Sequence, residues 1–118
     1  MRFRLVLTLA MGALCACASS PQPPDWVDYD VLLIAHQEKP EALEVYRKGL
    51  EGIIEHNRDQ GRPVPPGIHG ELGVILMAQS DPAAAIEQFE AEIALYSEAG
   101  PLLEPLLDSA RNQLERDE

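Results

Sequence analysis

The chain has 118 residues, of which 20 are acidic and nine are Lys or Arg, so its formal net charge is -11 at pH 7. This length is enough for one small domain and leaves no room for a separate catalytic domain. An acidic surface repels phosphate backbones and excludes nucleic acid as a partner, while a hydrophobic content of 46% is that of a chain that folds.

The first residues have the pattern of a secretory signal. Arg2 and Arg4 precede an apolar run over residues 5–14, which is too short to span a bilayer stably. The run ends in the sequence LCAC, residues 14–17, which resembles the lipobox of bacterial lipoproteins. The resemblance implies cleavage before Cys17 and fatty acylation of this cysteine by diacylglyceryl and amide-linked chains such as palmitate, which together anchor a protein stably in a membrane.

The lipid anchor has one alternative, a disulfide between Cys15 and Cys17. Residues two apart rarely reach disulfide geometry, and the sequence has no third cysteine. Ala18 follows the expected lipidation site, where lipoproteins retained at the inner membrane usually carry Asp, so the resemblance implies an outer-membrane protein that faces the periplasm. The mature chain would carry a net charge of -13, because Arg2 and Arg4 are lost with the signal.

A proline-rich stretch follows the expected lipidation site, with Pro21, Pro23 and Pro24. Proline removes backbone donors and holds the chain extended, which is typical of a spacer. The sequence therefore predicts three parts: a signal peptide at 1–16, a lipidated cysteine with a flexible tether at 17–25, and a helical domain at 26–118.

The helical domain shows apolar residues at helical spacing nearly throughout, which predicts an all-α fold of about five helices. The run at 29–37 fits either a buried strand or a short covered helix, and we choose the helix because no second strand is available for pairing. Further helices are expected over 40–60 and 68–79, a fourth is expected from Pro82 after the Asp81 cap, and a fifth after a break at residues 100–101.

The helices occur in pairs that resemble tetratricopeptide repeats. A frame that begins at Pro66 has matching residues at the Leu-Gly, small and aromatic positions of that pattern: Leu72, Gly73, Ala85 and Phe89. Glu92 departs from it, because the pattern has a small residue there. A second, weaker frame begins at Pro23. We therefore expect tetratricopeptide-like hairpins in which small residues let two helices approach closely and the aromatic ring fills the space beside them.

Three motifs between residues 62 and 95 point to a family. They are VPPG at 64–67, ELG at 71–73 and AIEQFEAE at 85–92. Together they resemble domain-of-unknown-function family 4810, a group of small bacterial lipoproteins with no established activity. Genes of that family tend to lie beside those of curli-secretion-type lipoproteins, so the resemblance implies a curli-secretion-type lipoprotein as partner and an assembly role.

Residue types used in catalysis do not form a recognisable constellation. His36, His56 and His69 fall on different expected helices, and no zinc, nucleophile-elbow or phosphate-loop motif occurs. Two clusters of possible metal ligands occur in the sequence, but neither has the spacing of a known metal site. The first is Glu55, His56 and Asp59 on one turn, and the second is Asp25, Asp28 and Asp30 around Trp26. We predict no catalytic residue, no metal, no cofactor and no small-molecule substrate.

Three residues are candidates for contact with a partner. Trp26 and Tyr29 would serve as aromatic anchors if exposed, and His69 opens the third helix, where a groove could form. The alternative for His69 is a partly buried structural role. We predict an outer-membrane lipoprotein that acts as a helical-repeat interaction or assembly module, with a small envelope hydrolase or metal-binding protein and a purely structural lipoprotein as the alternatives.

Overall fold

The computed structural model describes residues 20–118, and the expected signal peptide and Cys17 lie outside this range. The described residues form five α-helices and one 3-10 turn, without strands, which confirms the predicted all-α class and the number of helices. The helices are α1 (Tyr29–Glu38), α2 (Leu43–Asp59), α3 (Ile68–Ala78), α4 (Pro82–Leu95) and α5 (Gly100–Asp117), and the 3-10 turn is Ser97–Ala99.

The helix ends follow mostly from local sequence. Asp81 accepts a hydrogen bond from the Ala84 N–H at 3.1 Å and Pro82 is the first residue of α4, as predicted. Gly61 follows the end of α2 with a φ of +63°, a conformation that glycine adopts without strain. Helix α2 begins at Leu43 and not at Pro40, because a turn over residues 39–42 precedes it.

The core lies mainly between α2, α3 and α4, with α5 covering α4. Each helix packs chiefly against its neighbours in the chain, and α3 lies between α2 and α4. The fully buried apolar side chains come from all three of these helices and from α5: Leu50, Ile68, Ala85, Phe89 and Ala110. Helix α1 contributes only partly buried side chains, and it rests on α2 through Leu32 against Gly49.

Some apolar side chains that the helical pattern assigned to the core are exposed instead. Val74 on α3 and Leu106 on α5 belong to the apolar spacing of their helices, but they are 48% and 38% exposed. Both line one surface groove. No helix within residues 20–118 combines the length and the apolar character that spanning a bilayer requires.

Candidate functional site

A groove with a volume of about 760 Å³ opens where α1, α3 and α5 face one another. We call it the central groove. Its apolar lining comes from all three helices and includes Leu33, Val74, Ile75, Leu102, Leu103 and Leu106. Its polar lining is His36, Tyr46, Glu71, Glu92, Tyr96 and Glu98. The groove is therefore mostly apolar, and residues 20–118 contribute three carboxylates and no lysine or arginine to its wall.

One wall is organised around the carboxylate of Glu71 on α3. Its Oε1 accepts a hydrogen bond from the Tyr29 hydroxyl, and its Oε2 accepts one from the Tyr46 hydroxyl, both at 2.5 Å. The arrangement joins three helices at one charged group, which strengthens both hydrogen bonds. Burial, followed by the hydrogen bond to Glu71, raises the pKa of both phenols above the usual value near 10.

The ring of His36 completes this wall. It stacks on the ring of Tyr46 with the centroids 4.1 Å apart and the planes 10° from parallel. His36 belongs to α1 and Tyr46 to α2, so the stack adds a second contact between the helices that Glu71 already links. The polar end of the groove is thus connected to α1, α2 and α3 by contacts within the protein itself.

Glu92 on α4 forms the floor of the groove beside the start of α3. Its side chain is buried, with 3% exposure, and its carboxylate accepts hydrogen bonds from the N–H groups of Gly67 at 2.5 Å and Gly70 at 3.3 Å. These donors belong to the first turn of α3, where a helix has free N–H groups and the positive end of its dipole. Glu92 therefore caps α3 from a neighbouring helix, which explains an acid at a position where tetratricopeptide repeats have a small residue.

The opposite rim carries Tyr96 and Glu98, next to the start of α5. The Tyr96 hydroxyl donates a hydrogen bond to the Val64 carbonyl at 2.6 Å. Burial raises the pKa of Tyr96, and the negative charges of Glu92 and Glu98 raise it further. Glu98 is exposed to solvent, so its charge is accessible to a molecule in the groove.

The structure brings two of the three predicted partner-contact residues, Trp26 and Tyr29, together and buries the third, His69, elsewhere. Trp26 is 42% exposed and its ring lies 5.4 Å from that of Tyr29, outside the groove lining. Tyr29 is half-buried and held by Glu71. His69 is 2% exposed, with Nδ1 2.7 Å from Gln88 Oε1, which favours the structural alternative for this residue.

A second polar cluster fixes the chain where the expected tether ends. The Asp25 N–H donates to Asn57 Oδ1 at 2.8 Å, and Asn57 Nδ2 donates back to the Asp25 carbonyl at 2.7 Å. Asp25 Oδ2 also lies 3.0 Å from His56 Nε2. The hydrogen bond from the Val27 N–H, followed by the one with His56, lowers the pKa of Asp25. We call these contacts the Asp25 clasp.

The expected acidic groups do not converge on a metal geometry in the part of the chain that the structure describes. Residues 20–118 contain no group of three or more His, Cys, Asp or Glu side chains placed to hold a metal ion. His56 meets Asp25 rather than Asp59, and Asp25 is engaged by α2 rather than by Asp28 or Asp30.

Sequence reasoning missed the groove residues Glu71, Glu92, Glu98 and Leu102. A first signal for a functional role came from Glu92. It is an acid on the otherwise apolar face of α4, and the start of α3 has two nearby glycines, Gly67 and Gly70. Leu102 gave a second signal, since it falls beside the buried stripe of α5 and has no place on it. The Glu71 contacts with α1 and α2 depend on tertiary packing, and no local pattern predicts them.

The comparison with protein families agrees with the motifs. The family model described as "Domain of unknown function (DUF4810)" matches residues 25–106, well over half of the chain. Neither a curated protein nor a solved structure matches the chain significantly. The matched segment runs from the Asp25 clasp to Leu106 and includes every residue that lines the central groove. The chain therefore belongs to the DUF4810 family.

Proposed function

We propose that this protein is a lipid-anchored binding module of the bacterial outer membrane that faces the periplasm and holds a segment of another envelope protein in its central groove. In this role it would assist assembly of an envelope complex, with a curli-secretion-type lipoprotein as the candidate partner. The observation that carries the proposal is the set of apolar side chains that the fold leaves exposed inside a preformed groove.

The exposed apolar side chains support binding of a macromolecule. Leu102 is 74% exposed and Val74 is 48% exposed, although the neighbouring residues Leu103 and Ile75 on the same helices are buried. Contiguous apolar surface in a concave site is typical of an interaction site, because covering it removes apolar area from water. Burial of these apolar side chains by a partner segment would therefore contribute favourably to the free energy of binding.

The order of the helices supports a tetratricopeptide-like arrangement. Helices α1, α3 and α5 all contribute to the groove lining. Helix α2 contributes only Tyr46, and α4 contributes only Glu92, with Tyr96 directly after its last residue. Alternate helices line the concave face in stacked helical hairpins, which is the surface that such proteins use for binding. We propose that the chain is a short array of this type.

The Asp25 clasp supports the proposed role of the preceding residues as a tether. It fixes the chain to α2 at residue 25, so the spacer would run from Cys17 to that point. Eight residues in extended conformation reach about 25 Å, at about 3.1 Å per residue. The groove would then stand clear of the lipid surface and remain accessible to a periplasmic partner.

The groove carboxylates are placed for structure and binding rather than for catalysis. Glu71 accepts hydrogen bonds from two phenols, and Glu92 accepts hydrogen bonds from two backbone N–H groups. A general acid or base needs a proton-transfer site open to a substrate, and both groups already hold partners from the protein itself. We therefore propose a binding function without turnover.

A photo-crosslinking experiment in intact cells tests the proposed function. A photoreactive amino acid at Val74 should capture one envelope protein repeatedly, because this side chain is exposed in the groove. The same amino acid at Lys48 is the matched control, since Lys48 is exposed on α2 outside the groove. Equal capture from both positions, or no capture from Val74, would contradict the proposal.

The lipid anchor is tested separately on the native protein. Mass spectrometry of protein purified from membranes should find an N-terminal Cys17 that carries acyl chains. The Cys17→Ser variant should lose the acyl mass and the membrane association together. An unmodified thiol at Cys17, or a different N-terminal residue, would remove the anchor from the proposal and leave the groove argument intact.

A further inference from the structure

The chemistry of the groove lining narrows the kind of segment that it can hold. Leu102 and Leu106 lie one turn apart on α5, and Val74 lies on α3. These three side chains form an apolar strip, which we call the leucine strip, that a matching row of apolar side chains would cover. A segment with apolar residues on one side fits this requirement better than a uniformly polar peptide.

The charges beside the leucine strip all have one sign. Glu71, Glu92 and Glu98 line the groove, and no lysine or arginine in the described part of the chain does. The C-terminal half adds to this field, because residues 71–118 contain eleven acids and two arginines. The raised pKa of Tyr96, caused by burial and then by Glu92 and Glu98, is consistent with a negative potential in the groove. A cationic occupant would gain from this field, and an anionic one would be repelled.

Two other possible occupants of the groove, a second copy of this chain and an anionic phospholipid, fit these charges poorly. A second copy of the mature chain would bring a net charge of -13 to an acidic groove, so like charges would oppose the contact. An anionic phospholipid headgroup would meet the same repulsion. Charge complementarity therefore favours a basic segment of a different protein.

The secondary structure around the groove and the volume of the groove favour a helix over an extended strand as its occupant. The described residues contain no strand, so no sheet edge is present in this part of the chain to which a peptide could add by backbone hydrogen bonds. A helix satisfies its own backbone groups and presents side chains alone. A helix about 10 Å across occupies roughly 420 Å³ per turn, so a groove of about 760 Å³ has room for the apolar face of a short helix.

We propose that the occupant of the central groove is an amphipathic helix of a partner protein, with its apolar face on the leucine strip and lysine or arginine side chains beside Glu98 and Glu71. This inference rests on the proposed function, since it names the chemistry of the segment that the module holds. Glu98 is the primary contact because it is exposed, and each Glu71 oxygen keeps acceptor capacity beyond its one tyrosine hydrogen bond.

The first arm of the test identifies the captured segment. The crosslink formed from Val74 in the full chain is digested and sequenced by mass spectrometry. The expected segment has apolar residues at helical spacing and lysine or arginine on the flanking positions. A neutral or acidic segment, a second copy of this chain or an acyl chain would overturn the inference. Capture of a neutral or acidic protein segment would still leave the proposed function standing, whereas no capture above the Lys48 control would overturn both.

The second arm measures the charge contribution with a matched pair of variants. A synthetic peptide that copies the captured segment is titrated into the full chain. Glu98→Lys should weaken binding about tenfold, because attraction at the rim becomes repulsion. Glu87→Lys changes the net charge equally at an exposed position of α4 outside the groove lining, and it should change the affinity less than about twofold. Equal weakening by both variants, or no weakening by Glu98→Lys, would overturn the inference.

Discussion

Gly73 on α3 lies directly against the ring of Phe89 on α4. A Cβ atom at residue 73 would stand 2.5 Å from Cε1 and 2.9 Å from Cζ of this ring. Both residues are buried, and Phe89 is 0% exposed, so its ring is enclosed by protein. The close approach of small and aromatic residues predicted from the repeat pattern is confirmed at this contact.

Replacement of Gly73 by Ala should therefore destabilise the protein. The added methyl group requires a shift of the Phe89 ring or of α3 in a closely packed core, at a cost of about 1–3 kcal/mol. This cost outweighs the gain of about 0.5–1 kcal/mol that alanine brings inside a helix. Gly52→Ala is the matched control. Gly52 is exposed inside α2 with nothing within 4 Å of an added Cβ, so alanine should stabilise the fold there by about 0.5–1 kcal/mol. Urea denaturation followed by circular dichroism would show the opposite signs, and a Gly73→Ala variant as stable as the parent would contradict this account.

Glu92→Gln should be costly although it preserves the shape of the side chain. One carboxylate oxygen becomes an NH2 group that faces a backbone N–H of Gly67 or Gly70, so a buried donor loses its acceptor. The expected loss is about 1–3 kcal/mol. Glu90→Gln makes the same change at an exposed position on α4 and should stay within about 0.5 kcal/mol of the parent. Equal melting temperatures for the two variants would contradict the capping role of Glu92.

The three tyrosines make stability sensitive to alkaline pH. Folding raises the pKa of Tyr29, Tyr46 and Tyr96, mainly through burial. The unfolded chain therefore ionises first as the pH rises, and stability that is complete below about pH 10 decreases above it. The ultraviolet absorbance of tyrosinate should appear together with unfolding.

A variant separates the two causes of the raised tyrosine pKa. Glu71→Gln removes the carboxylate and leaves burial, so the pKa of Tyr46 should fall part of the way toward its usual value. Tyr46→Phe identifies the contribution of this residue to the absorbance. A folded parent protein whose phenols titrate near pH 10 would contradict the contacts described for Glu71.

The Asp25 clasp makes an opposite, acidic prediction. The pKa of the Asp25 carboxyl is lowered in the folded protein, first by the hydrogen bond from the Val27 N–H and then by His56. The stabilisation it contributes is therefore present above the usual pKa near 3.9 and is lost as the pH falls through the lower folded value. The carboxyl carbon of Asp25, followed by NMR, should titrate below its usual range.

His56→Gln tests the second of these causes. The Asp25 titration should move upward in this variant but remain below the usual value, because the Val27 N–H still donates to the carboxylate. An unchanged titration would show that His56 contributes nothing to the clasp. A titration at the usual value in the parent protein would show that the clasp itself is absent in solution.

The helices were predictable from sequence because their signals are local. Capping by Asp81, the glycine at residue 61 and apolar spacing depend on residues a few positions apart. The groove was not predictable in the same way. Its polar contacts join residues 22 to 42 positions apart, as between Tyr29 and Glu71. Its apolar wall includes Val74 and Leu106, which a core pattern would bury. Which apolar face remains uncovered depends on how the helices pack against one another, and local spacing does not determine that packing.

Two adjacent leucines separate binding from stability. Leu103 is 5% exposed and belongs to the core, whereas Leu102 is 74% exposed in the groove. Leu103→Asp buries a charge and should destabilise the fold by more than about 3 kcal/mol. Leu102→Asp should stay within about 0.5 kcal/mol of the parent in urea denaturation, yet abolish crosslinking from Val74, because a carboxylate interrupts the leucine strip. If Leu102→Asp retains capture at the parental level, the leucine strip does not bind the partner. If it unfolds the protein, Leu102 supports the fold, and its exposure does not mark a binding surface.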